Sequence, residues 1–462
     1  MRKRLNALVT VVAIVAATVV ASTGPAGATR AAASGYQPLL NAAIADVQAY
    51  WSKEFPQVYG GTYKPVAQII PADASTKIPD CQGQKISYAK DVKGNAFYCF
   101  QSNFIVYDNQ NLFPALAKNF GNFAPALVLA HEWGHAIQDR AGIDKTQFPT
   151  ILIELQADCF AGTWMKRVAN GDSKGVRFVG GDLDTALSAY LTFRDSVGTT
   201  PGDTQAHGDA FDRVNAFQTG YDNGASACKT FLDPNGAPPV TEQTFTNAQD
   251  AATGGNLPAA QVIPVTMELL DEYYAQVAPS VPPLTIDKVL KYNANGPTSQ
   301  YPKCPGTLAK KDIQNRVLYC LNSNYIAFDE PLLNNIYNKI GDFGVATLIG
   351  DTYATYVQFK QNFPGVQTNT VNAVLGADCY TGAWAQAVAQ GLPSTTLNST
   401  VTLSPGDLDK AIQAFITYDT ARGVSIKSDF VFRRVEAFRK GFFSDFATCT
   451  RTYANSSTTP SS

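Results

Sequence analysis

The chain has 462 residues, 45% of them hydrophobic and 16% charged, with a formal net charge of −2. That length and apolar share suit two medium domains, each able to bury its own core. A near-neutral balance with no basic block beyond residue 4 argues against a nucleic-acid surface or an acidic-polymer partner.

In chain order, Met1-Arg2-Lys3-Arg4 is a positive start, Leu5 to Ala21 an apolar stretch, and Ala26-Gly27-Ala28 a small-residue cleavage signal. The expectation is a signal peptide over residues 1–28, hence a secreted or cell-envelope protein. The alternative is an uncleaved membrane anchor, since the run is close to the shortest that spans a bilayer. No cysteine follows it directly, which argues against a lipid anchor. A helix near Leu39–Phe55 opens a first domain expected over residues 35–232. Asn95–Phe100 and Phe104–Tyr107 alternate β-branched and aromatic residues around Gln101-Ser102-Asn103, which reads as a hairpin.

A helix expected from Ala124 to about Gly142, with Pro125 in its first turn, carries His131-Glu132-Trp133-Gly134-His135. Two histidines four apart on a helix lie about 40° apart around its axis, so both imidazoles reach one metal ion. The glutamate between them is placed to act as general base on a water. The metzincin pattern is absent, because Gln138 and Ala141 stand where it needs Gly and His. The next helix, expected over Pro149–Asn170, puts Glu154 and Asp158 on one face. Zinc held by His131, His135 and Glu154 is the working arrangement. Asp158 either accepts a ligand histidine's free ring N–H or pairs with Arg213 as architecture. Helices are expected over Asp182–Val197 and Ala206–Tyr221. Residues 233–257 read as a linker, in a Gly- and Pro-rich stretch running from Asp233 to Pro264. A polar tail closes the chain over 453–462.

Three blocks, "LAHEWGHAIQ", "ELQADCFAGTW" and "AFYCFQSNFIVYD", resemble the bacterial neutral zinc metallopeptidase family. "AHGDAFDRVNAFQTGY" resembles that family's His-Gly…Arg…Phe…Gly-Tyr segment. The resemblance spans roughly Ala96 to Cys228. It implies an α+β, zincin-like fold, mainly helical with a small sheet or hairpin per domain. It also implies a glutamate third ligand, Zn2+ as cofactor and a peptidase-like site. His207, in the last block, is either an oxyanion donor or a plain packing residue.

The second half repeats the first. "FYCFQSNFIVYD" recurs as "LYCLNSNYIAFD", and "ELQADCFAGTW" as "VLGADCYTGAW". At the same shift of 220, His131, Glu132, His135 and Glu154 become Asp351, Thr352, Thr355 and Val374. Two tandem copies are therefore expected, the second (258–452) degenerate and without metal ligands. Asp158 persists as Asp378 and Arg213 as Arg434, which puts the architectural pairing on a level with support of a ligand histidine; both can hold at once in the first half. His207 meets Ser428. Eight cysteines fall four to each half. Pairing confined to each half and alike in both leaves three schemes. The preferred one is Cys81–Cys99, Cys159–Cys228, Cys304–Cys320 and Cys379–Cys449, which fits an extracytoplasmic setting.

The leading functional reading is an exported zinc peptidase acting on an envelope or extracellular protein, with Glu132 as base and a protein or peptide as partner. A non-catalytic envelope protein with a structural zinc and a cell-wall amidase are the rivals. A structural site would need the ligands but not Glu132. Membrane attachment follows only from an uncleaved N-terminal segment, and oligomeric state is not legible.

Overall fold

A computed structural model describes residues 35–178, 181–304, 308–321, 323–421 and 429–454. The expected signal segment, the polar tail from Asn455 onward and Ser428 lie outside these residues. The chain divides into two compact units between Glu242 and Gln243. Both are α+β and mainly helical, as the sequence led us to expect.

The first unit runs α1 (Gln37–Val58), β1 (Gln68–Ala72), a π-turn (Tyr88–Val92), β2 (Ala96–Cys99), β3 (Phe104–Asp108), α2 (Leu112–Phe120), α3 (Ala124–Arg140), α4 (Thr150–Ala169), α5 (Asp182–Phe193) and α6 (Ala210–Asn223). The second runs α7 (Ala248–Thr253), α8 (Ala259–Val277), β4 (Val289–Tyr292), α9 (Lys310–Ile313), β5 (Val317–Cys320), β6 (Tyr325–Asp329), α10 (Glu330–Lys339), α11 (Asp342–Lys360), α12 (Val371–Gln390), β7 (Leu392–Ser394), β8 (Ser399–Val401), α13 (Asp407–Ala421), α14 (Phe430–Phe442) and α15 (Phe446–Ala454).

Each unit builds a three-stranded sheet of the same order, β1-β3-β2 and β4-β6-β5. The outer strand β1 or β4 is parallel to the centre, and the hairpin strand is antiparallel. β3 and β6 are central because Phe104–Asp108 and Tyr325–Asp329 are buried at every position. The hairpin was legible, whereas β1 and β4 were not foreseen.

α3 is buried nearly all round, including its polar His131, Glu132, His135 and Gln138, so it is the core helix of its unit instead of a surface helix. α4 and α6 cross backbone to backbone: a Cβ on Gly162 would strike the Phe217 carbonyl, and one on Gly220 the Cys159 carbonyl. Gly382 and Gly441 permit the same crossing of α12 and α14. All four disulfides pair in the preferred scheme. They fit an extracytoplasmic location. Among the described residues, no helix is long and apolar enough to cross a membrane.

Two expected helix boundaries are corrected. α5 stops at Phe193, not Val197, because Asp195 leaves the helix to accept the His207 and Gly208 N–H groups. α6 starts at Ala210, not Ala206, since the Asp209 carboxylate caps it by accepting the Asp212 N–H. The division between the two units falls inside the expected linker, 233–257, and this stretch carries local structure of its own. The Asp212 carboxylate takes the N–H groups of Thr241 and Glu242. Asn247 caps α7, and Pro264 lies inside α8. The buried face of Val262, Val265 and Leu269 offsets the one backbone bond that Pro264 cannot make.

Candidate metal centre

α3 and α4 bring three of the expected residues to one point. His131, His135 and Glu154 each offer an atom, all within 4.8 Å of one another. His131 Nε2 lies 3.2 Å from Glu154 Oε2, and His135 Nε2 lies 3.4 Å from Glu154 Oε1. The helices meet this closely because Gly134 has no side chain to hold Ala157 away.

The rings are oriented from behind. His131 Nδ1 is 2.7 Å from Asp158 Oδ1, and His135 Nδ1 is 2.9 Å from Gln138 Oε1. Since those oxygens only accept, each Nδ1 carries a proton, and each Nε2 faces Glu154. Both Glu154 oxygens are buried and turned to the imidazoles, with Oε2 meeting only His131 Nε2, an arrangement of donor atoms that suits a cation. Two imidazole nitrogens and a carboxylate are a donor set that suits zinc. The residues fit the ion.

Electrostatics follow from the same geometry. Burial opposes a charge on His131, but Asp158 and Glu154 overcome it and hold its protonation up to about 10. Burial pushes His135 down to about 4. Burial also opposes charge on Glu154, yet His135 and His131 keep it well below the usual carboxylate range. Burial pushes the Glu132 carboxyl up to about 7. Glu132 Oε2 accepts the Tyr98 N–H at 2.9 Å, from the outer edge of β2. Lys145, with its Nζ 3.6 Å from the Phe100 ring centroid, is lowered by burial to about 8.

Asp158 makes both contacts foreseen for it. Besides His131, it accepts Arg213 Nε at 2.8 Å and Nη2 at 3.0 Å. In the second unit Asp378 accepts Arg434 Nη2 at 2.7 Å. Asp351, at the position of His131, turns its Oδ2 to the same Arg434 nitrogen at 3.1 Å.

His207 lines a cavity of about 40 Å3 with His131, Glu132, Arg213 and the apolar Leu127 and Phe193. Its Nδ1 lies 3.2 Å from Asp195 Oδ1, and its Nε2 is buried without a partner. With Nδ1–H given to Asp195, Nε2 donates a hydrogen bond only when the ring is protonated.

Sequence reasoning missed two participants. In the sequence Gln138 stands only as a mismatch to the metzincin pattern, and it persists as Gln358. Both amides bind the backbone carbonyl at the start of the next helix, Ile153 or Ala373. The Tyr98 N–H leaves no trace in a sequence at all.

Residues 7–231 match the family model described as "Putative neutral zinc metallopeptidase". The chain is similar to the uncharacterized protein YpfJ of Escherichia coli (strain K12), 29% identical over 211 residues that cover 41% of this chain and 69% of that protein. It is also similar to the uncharacterized protein Rv2575 of Mycobacterium tuberculosis (strain ATCC 25618 / H37Rv), 31% identical over 160 residues. Those residues cover 29% of this chain and 54% of that relative, about half its length. No solved structure matches. At a coarse level the first unit is thus similar to a zinc hydrolase family.

Proposed function

We propose that the chain is a member of that family and an exported zinc-dependent peptidase with a zincin-like first unit. The observation that carries this reading is the convergence of His131 Nε2, His135 Nε2 and the buried Glu154 carboxylate, with Glu132 in the chain between the two histidines. Zinc, when bound there, would acidify a water and polarise a scissile carbonyl. Glu132 takes the proton of the attacking water and passes it to the leaving amine. The burial that raises its carboxyl suits a group that must both accept and return a proton. Asp158 and Gln138 hold the two imidazoles in the tautomer that points Nε2 inward. His207, its Nδ1 held by Asp195, lines the same cavity and is the side chain placed to donate to the oxygen that gains charge.

The cavity above these groups has room for a few waters only. A peptide therefore enters once the wall of Phe193 and His207 has moved. Its backbone would then lie beside Ala96 on the edge of β2. The substrate class we assign is an envelope or extracellular protein.

We further infer that the second unit arose by tandem duplication and lost its site. Matching strand order and disulfide pairing support this. Its role would be to stabilise the first unit, regulate it or present substrate to it. Residues 29–240 with the full chain's activity and stability would remove the need for that role.

The test is turnover of casein and of a peptide library by the purified mature protein, before and after chelation. Chelation should abolish turnover and added zinc should restore it. Turnover indifferent to chelator would refute a zinc peptidase.

A further inference from the structure

Lys145 stands in the turn that links α3 to α4, and the metal-site reading gives it no task. It is half-buried, and its Nζ lies 3.6 Å from the centroid of the Phe100 ring. Among the described residues none gives that ammonium an ion pair or a hydrogen bond. Glu154, Glu132 and Asp139 are near enough for their charges to act on it. Asp139 already accepts the Tyr98 hydroxyl at 2.6 Å, and Glu154 is turned to the two imidazoles. Burial outweighs these charges and lowers the Lys145 pKa to about 8. An ammonium can only donate, and the ring covers one side of it. Its other N–H groups are left for water or for an acceptor that a ligand brings.

The second unit separates what belongs to the fold from what belongs to the site. In the hairpin, Cys99, Ser102 and Asn103 recur as Cys320, Ser323 and Asn324, whereas Phe100 becomes Leu321. In the turn, Gln147 and Thr150 recur as Gln367 and Thr370, whereas Lys145 becomes Gly365. Hairpin and turn therefore form without the lysine and its ring. The pair is missing from the same copy that lacks His131, Glu132, His135 and Glu154. Residues kept for the chemistry of the site, not for its framework, follow that pattern.

Their place along the sheet says what they would meet. Phe100 directly follows β2, the edge strand beside which the peptide lies in the proposed function. Ala96, at the other end of β2, lines the cavity that holds His207. Glu132 is bound to the N–H of Tyr98, between the two. At about 3.3 Å per residue, Phe100 lies roughly 7 Å along the strand from Tyr98, on the side away from that cavity. A group about two or three residues from the scissile bond reaches Lys145 from there.

We propose that Lys145, seated on Phe100, is a subsite for a carboxylate of the substrate peptide. Peptides that bring a negative charge to this side of the scissile bond are thereby preferred. The subsite rests on the peptidase reading and names the substrate class for it. A Glu or Asp side chain and the peptide's own C-terminus present the same chemistry.

Binding is read without turnover on the zinc-loaded full chain carrying Glu132→Gln. The probes are fluorescent alanine-rich peptides with one Glu or one Gln at each position in turn, each with a free or an amidated C-terminus. Glu should bind about tenfold more tightly than Gln at one position, or the free C-terminus about tenfold more tightly than the amide. The contrast that responds identifies the source of the carboxylate. Adding Lys145→Met should bring the charged peptide down to the affinity of its neutral partner. Lys145→Glu should reverse the preference towards a peptide with Lys at that position. A preference that survives Lys145→Met, as a carboxylate drawn to the zinc itself would show, overturns the proposal. Casein turnover by the wild type, measured alongside, separates the two readings. Turnover without any charge preference in binding overturns the subsite alone, and neither turnover nor binding overturns the peptidase reading with it.

Discussion

Gly134 of α3 lies so close to Ala157 of α4 that a Cβ on it would stand 2.7 Å from the Ala157 Cα. This contact sets the gap across which Glu154 reaches the two histidines. At the shift of 220 the second unit has Ala354 and Ala377, so its helix pair carries a methyl where the first has none. Gly134→Ala should force α3 and α4 apart at a cost of about 1–3 kcal/mol. Zinc affinity should fall about tenfold or more, because such a site tolerates little displacement. Competition titration with a chelating dye checks this. A folded variant with unchanged affinity would show that the close approach serves packing alone.

Asp158 answers to two partners, and substitution should separate them. Asp158→Asn should weaken zinc about 10- to 100-fold by loosening His131. It should also cost up to roughly 3–5 kcal/mol by leaving the buried Arg213 without its carboxylate. Asp378→Asn in the second unit should lower stability and leave zinc affinity alone. Denaturant unfolding and zinc titration of both variants decide it. A purely structural Asp158 would change stability only.

What was legible followed from local periodicity. The i, i+4 spacing of His131 and His135, and of Glu154 and Asp158, fixes which side chains share a helix face before any tertiary contact is known. The cysteine pairs were legible because the repeat cut the possible schemes to three. What stayed hidden depends on distant chain. β1 is a five-residue segment with an internal Pro71, and it becomes a strand only by lying parallel to β3. The early end of α5 comes from Asp195 capturing backbone N–H groups twelve and thirteen residues away. Gln138 gains its role only when its oxygen meets His135.

The Cys159–Cys228 bond closes a separation of 69 residues and ties α4 to the turn after α6. Cys159→Ser with Cys228→Ser should cost about 4 kcal/mol by freeing the unfolded chain. Losing Cys81–Cys99, across a separation of 18, should cost about 3 kcal/mol. Urea unfolding of the two double variants orders them. The reverse order would contradict the loop-length argument.

Glu268 clamps the β7–β8 hairpin. Burial works against its charge, but the hydroxyls of Thr396, Thr395 and Ser394 and the Thr396 N–H hold its pKa down to about 2. A carboxyl lowered on folding stabilises above its unfolded value near 4, and that stabilisation disappears as pH falls towards 2. Amide exchange at Thr396, corrected for intrinsic rate, should accelerate over that window and be fast at all pH in Glu268→Ala. Protection that ignores both acid and the substitution would contradict the clamp.

The most direct measurement is zinc content and peptide turnover of wild type and Glu132→Gln, purified and assayed together. The account predicts one zinc per chain in both, held by His131, His135 and Glu154. It also predicts turnover about 10²- to 10⁴-fold lower in the variant. Equal turnover by the two proteins, or a wild type that binds no zinc, would contradict it.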